Sequence, residues 1–397
     1  MSVHTAVVLA AGEGTRLRPL TRNRPKPMLP AANRPILEYV FDALVDAGID
    51  RIVAVVGYKR DRVQDHFGPT YRDVPIEYVV QSKQLGSGHA LLQARDAVDE
   101  PMLVVNGDRI IDSHIVAGVR DAFDADTGVP TLAVLERRDV HQYGAVVIQG
   151  EDVETIVEKP ETDEYRLING GVYAFDETVF DAIEETPRQQ GELALTDTLA
   201  RFVETGQVRA VETNGMWVDA TYPWDLLTMA TEVLARGRTD EPERGTNVWI
   251  DDDAIVHDAA TLQPPVVVGP DCEVSPGAVV GPNVALGRNV TVGANATVER
   301  SVLDADTRVD PGSILQDTVT GQAVHLGAGT VVPGGPADVR VGTHVFEDQR
   351  LGAVVGDRAR AEGNVSLAPG TLVGPNAHLH TGVLADGHVE EDAEVVR

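Results

Sequence analysis

From Ile250 to Val302 the chain carries two interleaved apolar series, each with a period of six. Ile250, Val256, Leu262, Val268, Val274, Val280, Leu286, Val292 and Val298 form one, and Ala254, Ala260, Val266, Cys272, Ala278, Val284, Val290, Ala296 and Val302 form the other. Neither the 3.6-residue turn of a helix nor the two-residue pleat of a lone strand sustains such a pattern. With glycine or proline at the corners, it predicts a parallel β-helix, whose repeats bury their apolar positions only by stacking on one another. Cys272 sits in the small-residue series and reads as core, not chemistry. The pattern slips near Asp304 and resumes at Val355, Ala361, Leu367, Val373 and Leu379, so 332–350 is expected to be a protruding loop.

The preceding half alternates strand and helix signals over residues 3–235. Asn33-Arg34-Pro35 reads as a helix opening, with Ile36, Leu37, Val40, Ala43, Leu44 and Ala47 as its apolar face and Gly48 as its stop. Residues 52–56 read as a buried strand, 76–80 as the next strand and 102–105 as another apolar strand, while 61–67 and 88–97 read as helices. This rhythm predicts an α/β domain with a mostly parallel sheet wound on both faces. Ligands on such sheets lie beyond the carboxyl ends of the strands. A helix over 222–236 closes the domain, and the polar run 237–245 reads as linker. The expected organisation is an α/β domain over 1–236, a linker over 237–247 and a β-helix over 248–397.

The first strand ends in Gly12-Glu13-Gly14-Thr15-Arg16, and ten residues past Arg16 Lys26 stands between Pro25 and Pro27. Backbone N–H groups at a glycine turn can bind an anion. Two prolines exclude a regular helix, so this segment reads as an extended arm presenting a lysine. A Walker-type loop would need a lysine directly after the second glycine, and the dinucleotide fingerprint a third glycine where Leu17 stands; neither is met. The glycine turn, Arg16 and a rigidly presented Lys26 together point to a polyphosphate site.

Acidic residues number 62 against 33 basic, for a formal net charge of −29. That balance argues against nucleic acid or anionic membrane as a partner. Lysine occurs four times, at 26, 59, 83 and 159, so each one kept is a candidate for needing its ammonium group. Spread acid with scarce lysine resembles halophilic proteins from high-salt cytoplasm. One cysteine excludes an internal disulfide. No apolar run approaches the roughly 20 residues of a membrane span, and no secretory pattern is apparent, so the cytoplasm is the expected compartment.

Leu9-Ala10-Ala11-Gly12, Gly14-Thr15-Arg16-Leu17 and Pro25-Lys26-Pro27-Met28 resemble the opening motif of the sugar-1-phosphate nucleotidylyltransferases. Members of that family join a sugar phosphate to a nucleoside triphosphate and release pyrophosphate. The resemblance implies that Leu9, Ala10, Ala11, Gly12, Gly14 and Thr15 bind the nucleotide, with Arg16 and Lys26 as catalytic residues on its phosphates. Asp108, after the apolar Val104-Val105, matches the family's catalytic, metal-binding aspartate. Trp217-Val218-Asp219-Ala220-Thr221-Tyr222-Pro223-Trp224 resembles its closing motif, with Asp219 as the second metal ligand. Two carboxylates with room for water and phosphates suit Mg²⁺. Gln81-Ser82-Lys83-Gln84-Leu85-Gly86-Ser87-Gly88-His89-Ala90 resembles the base-recognition loop, implying Gln81, Gly86 and Ser87 as nucleotide-binding. Its wording is closest to the uridylyl and thymidylyl branches, which implies UTP or dTTP.

On the sugar side, Tyr143-Gly144-Ala145-Val146, Val157-Glu158-Lys159-Pro160 and Ile168-Asn169-Gly170-Gly171 match the family in order. Gly144, Glu158 and Asn169 would bind glucose or N-acetylglucosamine, and the catalytic Lys159 would hold the sugar phosphate. Residues 191–197 also fit, as a loop entering a helix capped by Thr196 or Asp197. The layout resembles the bifunctional archaeal N-acetylglucosamine-1-phosphate uridylyltransferases, Rossmann-like proteins with a C-terminal left-handed β-helix of hexapeptide repeats. That β-helix also acetylates the amino sugar, using acetyl-CoA and a histidine base. Here the expected histidine–tyrosine motif falls on Asp310-Pro311-Gly312-Ser313-Ile314, which contains neither residue; His325 or His344 is the available substitute. The resemblance also implies a homotrimer or larger symmetric oligomer. A non-catalytic regulatory homologue would usually lack the Arg, Lys or Asp positions, and all are present here.

Overall fold

The computed structural model describes residues 3–137, 140, 143–158, 165–206 and 208–396. It falls into two compact units. One comprises Met1–Glu13, Pro25–Met28 and Ile36–Val218, and the other Gly14–Arg24, Leu29–Pro35 and Asp219–Arg397.

The first unit is Rossmann-like. Its strands are β1 Thr5–Ala10, β2 Arg51–Val56, β3 Val74–Val80, β4 Met102–Asn106, β5 Thr131–Glu136, β6 Gly144–Gln149, β7 Asp152–Glu158, β8 Leu167–Phe175 and β9 Arg209–Thr213. They follow the spatial order β6-β7-β9-β5-β8-β4-β1-β2-β3, with the short strand Thr70–Tyr71 on the edge beyond β3. The β4-β1-β2-β3 run is parallel, as is β5–β9, whereas β8 lies antiparallel to both β4 and β5. Alternation along β1 sends Ala6, Val8 and Ala10 into one core and Val7 into the other, as the pleat requires. Helices α1 Ile36–Asp46 and α4 Ser113–Ala122 pack on the first face, with α2 Arg60–Phe67 beside them. Helices α3 Ser87–Leu92, α5 Thr178–Glu185 and α6 Leu195–Thr205 cover the second.

Several local expectations are corrected. Lys26–Met28 forms a single 3₁₀ turn closed by Met28 N–H to Pro25 O at 3.0 Å, not an extended arm. One such turn needs no N–H from Pro27, so both prolines are tolerated. Arg34–Pro35 pairs antiparallel with Pro30–Ala31, so α1 starts at Ile36 without a cap from Asn33; Gly48, at φ 82°, does end it. The 88–97 helix is interrupted: α3 stops at Leu92 and a 3₁₀ turn follows at Arg95–Ala97. Thr196 and Asp197 lie inside α6, whose first N–H, from Leu195, is taken by Ser87 Oγ at 2.9 Å.

In the second unit, three parallel sheets stack the hexapeptide strands into a β-helix, the left-handed class that the repeats imply. Val268 pairs with Leu286, eighteen residues on. Leu286 pairs with Leu303, only seventeen on. The slip near Asp304 is therefore one residue deleted per coil, and coils continue through Val309, Leu315, Leu326 and Val332. Residues 336–350 form a hairpin, Pro336–Val341 with His344–Arg350. Phe346 on it packs against Tyr222 and Trp224, with ring centroids 4.5 and 5.3 Å away. Cys272 is buried, and burial pushes its thiol up to about 12, as a core residue.

Arg24 is 5% exposed. Its guanidinium bonds to the carboxylate of Asp304 and, at 2.9 Å, to Asp357 Oδ1. The two aspartates occupy one corner of the β-helix. On the coil between them stands Gly321, where a Cβ would lie 2.2 Å from Asp357 Oδ1. Burial alone would lower the Arg24 pKa, but the two carboxylates raise it. Removing one partner of a buried ion pair costs about 3–5 kcal/mol. Arg24→Ala should therefore lower stability by that order in chemical denaturation; a loss below about 1 kcal/mol, the range of exposed pairs, would contradict this account.

Candidate active site

Three loops meet at the carboxyl ends of the parallel strands. The chain leaves β1 for β2 and β3 on one side and returns to β4 on the other. That reversal makes the β1–β4 crevice the topological switch point where such sheets bind ligands. Leu9 and Ala10 end β1, and Ala11 and the exposed Gly12 follow. Gly107 N–H bonds to Leu9 O at 3.0 Å, drawing the β4 loop against β1. A Cβ on Gly107 would meet Val8 and Ala10 side chains at 3.0 and 3.1 Å, so only glycine passes there without displacement.

Asp108 follows at once. Lys26 Nζ, on a side chain only 12% exposed, donates to its Oδ2 at 2.7 Å, and Arg109 Nε lies 3.8 Å from Oδ1. The spacing of 82 residues between the lysine and the aspartate closes into one contact. The Asp108 carboxylate is a hard oxygen ligand of the kind a divalent cation takes, in exchange for the lysine ammonium, and the flanking cations suit phosphate oxygens.

The 81–89 loop is tied to both neighbours. Gln84 Nε2 donates to Ala11 O at 2.9 Å, and Gln81 N–H to Val56 O at 2.8 Å. The Gln81 side chain is buried, its amide donating to Gly86 O at 3.2 Å and facing His89 Nδ1 at 2.9 Å. Burial, aided by the Arg188 charge, lowers the His89 pKa, so the neutral ring accepts from Gln81. Gly86, at φ 99°, has its Cβ position 2.5 Å from Leu193 O. Gly88 and His89 N–H groups also bond that carbonyl, at 2.9 and 3.2 Å. The glycines thus have a packing reason that the motif alone did not reveal: Leu193 and the Ser87–Leu195 bond seat the loop.

The residues expected to bind the sugar fall on three adjacent strands. Gly144 pairs with Glu158, and Ala145, next to Gly144, pairs with Ile168, next to Asn169. Asn169 is buried and its Oδ1 accepts Gly171 N–H at 3.0 Å, across a bulge in β8. Gly171, at φ 73°, has its Cβ position 2.7 Å from Asn106 Nδ2, which brings the bulge to the end of β4. Lys159 lies outside the described residues.

Sequence reasoning missed a cationic stack beside Asp108. The guanidinium carbons of Arg109 and Arg137 sit 5.2 and 5.4 Å from the Trp217 ring centroid, cation–π distances. Tyr143 meets the same ring edge-on at 5.0 Å, and the indole N–H bonds to Gly170 O at 2.7 Å. Arg109 was signalled by its place after Asp108; nothing in the motifs marked Arg137.

In the other unit, Gly14 takes φ 70° and its carbonyl accepts Thr21 Oγ1 at 2.8 Å. Thr15 and Arg16 are exposed on the following 3₁₀ turn. They line a cavity of about 700 Å³ with Arg18, Arg22, Arg340 and His344, among others, and with the acidic pair Glu390 and Glu391. Asp219 ends a short strand and accepts Thr221 Oγ1 at 3.0 Å. His325 Nε2 pairs with Asp310 Oδ2 at 2.9 Å, whereas His344 is exposed on the hairpin.

The nucleotidyl transferase family model matches residues 5–236, and that of the GMPPB C-terminal domain residues 262–381. A Methanococcus maripaludis protein named bifunctional protein GlmU is 34% identical over 410 residues, covering 99% of this chain and 97% of its own. UTP–glucose-1-phosphate uridylyltransferase AglF of Haloferax volcanii is 36% identical over 225 residues, 55% of this chain and 92% of its own. A solved UDP-glucose pyrophosphorylase, complexed with UDP-glucose, superposes with a TM-score of 0.54 at 22% identity. It covers 59% of this chain and 99% of its own, a likeness of fold alone.

The His89 geometry makes a direct prediction. A lowered folded pKa favours the neutral ring, so its contribution is present above about pH 6.5, the ordinary histidine value, and fades as pH falls through the folded value. An NMR titration should find a His89 midpoint below that value; a midpoint at or above it would contradict the part-buried Gln81–His89 contact.

Proposed function

The chain belongs to the nucleotidyl transferase family and is a sugar-1-phosphate nucleotidyltransferase; on that premise we propose that it transfers UMP or dTMP to glucose-1-phosphate or N-acetylglucosamine-1-phosphate. The Lys26–Asp108 contact at the switch point is the observation that carries this reading.

The reaction needs no protein nucleophile: the sugar-phosphate oxygen displaces pyrophosphate in line at the α-phosphorus, and catalysis is positioning and charge neutralisation. Arg16 binds the pyrophosphoryl oxygens, Lys26 the phosphates about the reacting centre, and Lys159 the incoming sugar phosphate. Leu9 to Gly12, Gly14 and Thr15 supply the backbone and side-chain cradle. Gln81, Gly86 and Ser87 hold the base. Because the Gln81 amide already bonds within its loop, the base meets a pre-set edge rather than a free side chain. Gly144, Glu158 and Asn169 bind the hexose. Asp108 and Asp219 are the proposed ligands of Mg²⁺, which supplies Lewis-acid screening of the phosphates when bound.

A second reading adds acetyl transfer by the β-helix. It is supported by full-length relatives named bifunctional and by the His325–Asp310 pair, a base with an orienting carboxylate. Consumption of acetyl-CoA with glucosamine-1-phosphate, abolished by His325→Asn, is its expected sign; no consumption refutes it. No helix among the described residues is long and apolar enough to cross a membrane. A cytoplasmic homotrimer adapted to high salt completes the proposal.

A matrix of UTP and dTTP against both sugar phosphates, read by pyrophosphate release with Mg²⁺, tests the main reading. One or more pairs should turn over, and Asp108→Ala should lower kcat about a hundredfold or more. No turnover with any pair, or full turnover by Asp108→Ala, would refute it.

A further inference from the structure

Away from the nucleotide loops, Glu362, His378 and His380 gather on the outer surface of the β-helix. Their convergence follows from coil register. Ala361 pairs with Leu379 and Arg360 with His378 on the neighbouring coil. Ala361 and Leu379 are core residues, so the pleat turns the residues on either side of them outward. His378 and His380 therefore share one outer face, and Glu362 meets them from the adjacent coil.

The distances are those of a ligand set. Glu362 Oε1 lies 3.1 Å from His378 Nε2 and 3.4 Å from His380 Nδ1, and one ligand atom from each residue lies within 4.8 Å of the others. Zinc–ligand bonds of about 2.1 Å in a tetrahedron separate the ligand atoms by about 3.4 Å. The other carboxylate oxygen is held in place: Oε2 accepts the Thr381 backbone N–H at 2.8 Å and the Thr381 hydroxyl at 2.7 Å. Only Oε1 is thus left aimed at the two rings, as outer hydrogen bonds orient a metal-binding carboxylate. The three side chains are 35–38% exposed, so water can reach a further coordination position. Along the same ladder His378 has Arg360 on one side and Glu394 on the other, charges of opposite sign.

We propose that Glu362, His378 and His380 form a binding site for one divalent transition-metal ion of the zinc class. Two imidazoles and one carboxylate select zinc or its neighbours over magnesium or calcium, which take oxygen ligands. The ion would clasp two consecutive coils near the end of the stack, and it would leave one coordination position for water or an exogenous anion.

The test uses the full chain, stripped with chelator and titrated with ZnCl₂ by calorimetry, with bound metal counted by mass spectrometry. One Zn²⁺ per chain is expected, and H378A/H380A should abolish it. Thr381→Val, which removes only the hydroxyl behind the carboxylate, should weaken binding about 10- to 100-fold at unchanged stoichiometry. Co²⁺ added to the stripped wild type should give the intense visible bands of a four-coordinate site. Magnesium-dependent nucleotidyl transfer should be unchanged in all variants, which separates this site from the other. Failure of the wild type to take up stoichiometric zinc overturns the proposal, as does uptake that survives H378A/H380A or a weak octahedral cobalt spectrum; the cluster is then a hydrogen-bonded His–Glu–His group.

Discussion

Strand β1 is ladder-bonded on both edges, to β2 and β4, and packed on both faces. A strand enclosed in this way can reach solvent only at its ends. Its carboxyl end is also where the chain order reverses, so no crossover helix fills the space above it. Ala11 and Gly12, the 81–89 loop and Asp108 all converge on that opening. Their roles differ, but each is seated by a backbone contact to β1 or to a neighbouring strand end, with Gly107 on Leu9 O and Gln84 on Ala11 O. The placement of Lys26 on a 3₁₀ turn completes the set within the same unit.

The second unit rests on repetition, and among its described residues Arg24 is an interior charge that needs compensation. A guanidinium without water is stable only because two carboxylates, from corners separated by one glycine-bearing coil, receive it. The basic segment 14–24 is thereby tied to residues 280 and more positions downstream. Arg24 stands between Arg16 and Lys26 in the chain, yet its partners make it a structural arginine.

Much of this was legible in the chain itself. Strands with uniform aliphatic runs, the α2 helix and the six-residue repeat are periodic signals that local chemistry determines. The switch-point residues could be located because a glycine turn and a strand-terminal aspartate are short, distinctive patterns. The missed features share a cause: they depend on partners far away in sequence. Pro35 looked like a helix start because its strand partner, Pro30, was invisible. The coils after Asp304 seemed to stop because one residue was deleted per turn, which shifts a periodic count but not a stacked core. Arg137 carried no motif and is recognised only by its place over Trp217. Glu362, His378 and His380 come together through coil register, which no linear pattern states.

The central claim is that the chain moves a nucleotidyl group, and the fate of each phosphorus tests it most directly. With UTP or dTTP labelled at the α-phosphorus, the account predicts label in the sugar nucleotide; with label at the γ-phosphorus, it predicts label in released pyrophosphate alone. Transfer of the γ-label to the sugar, or no movement of α-label with either sugar phosphate, would contradict it.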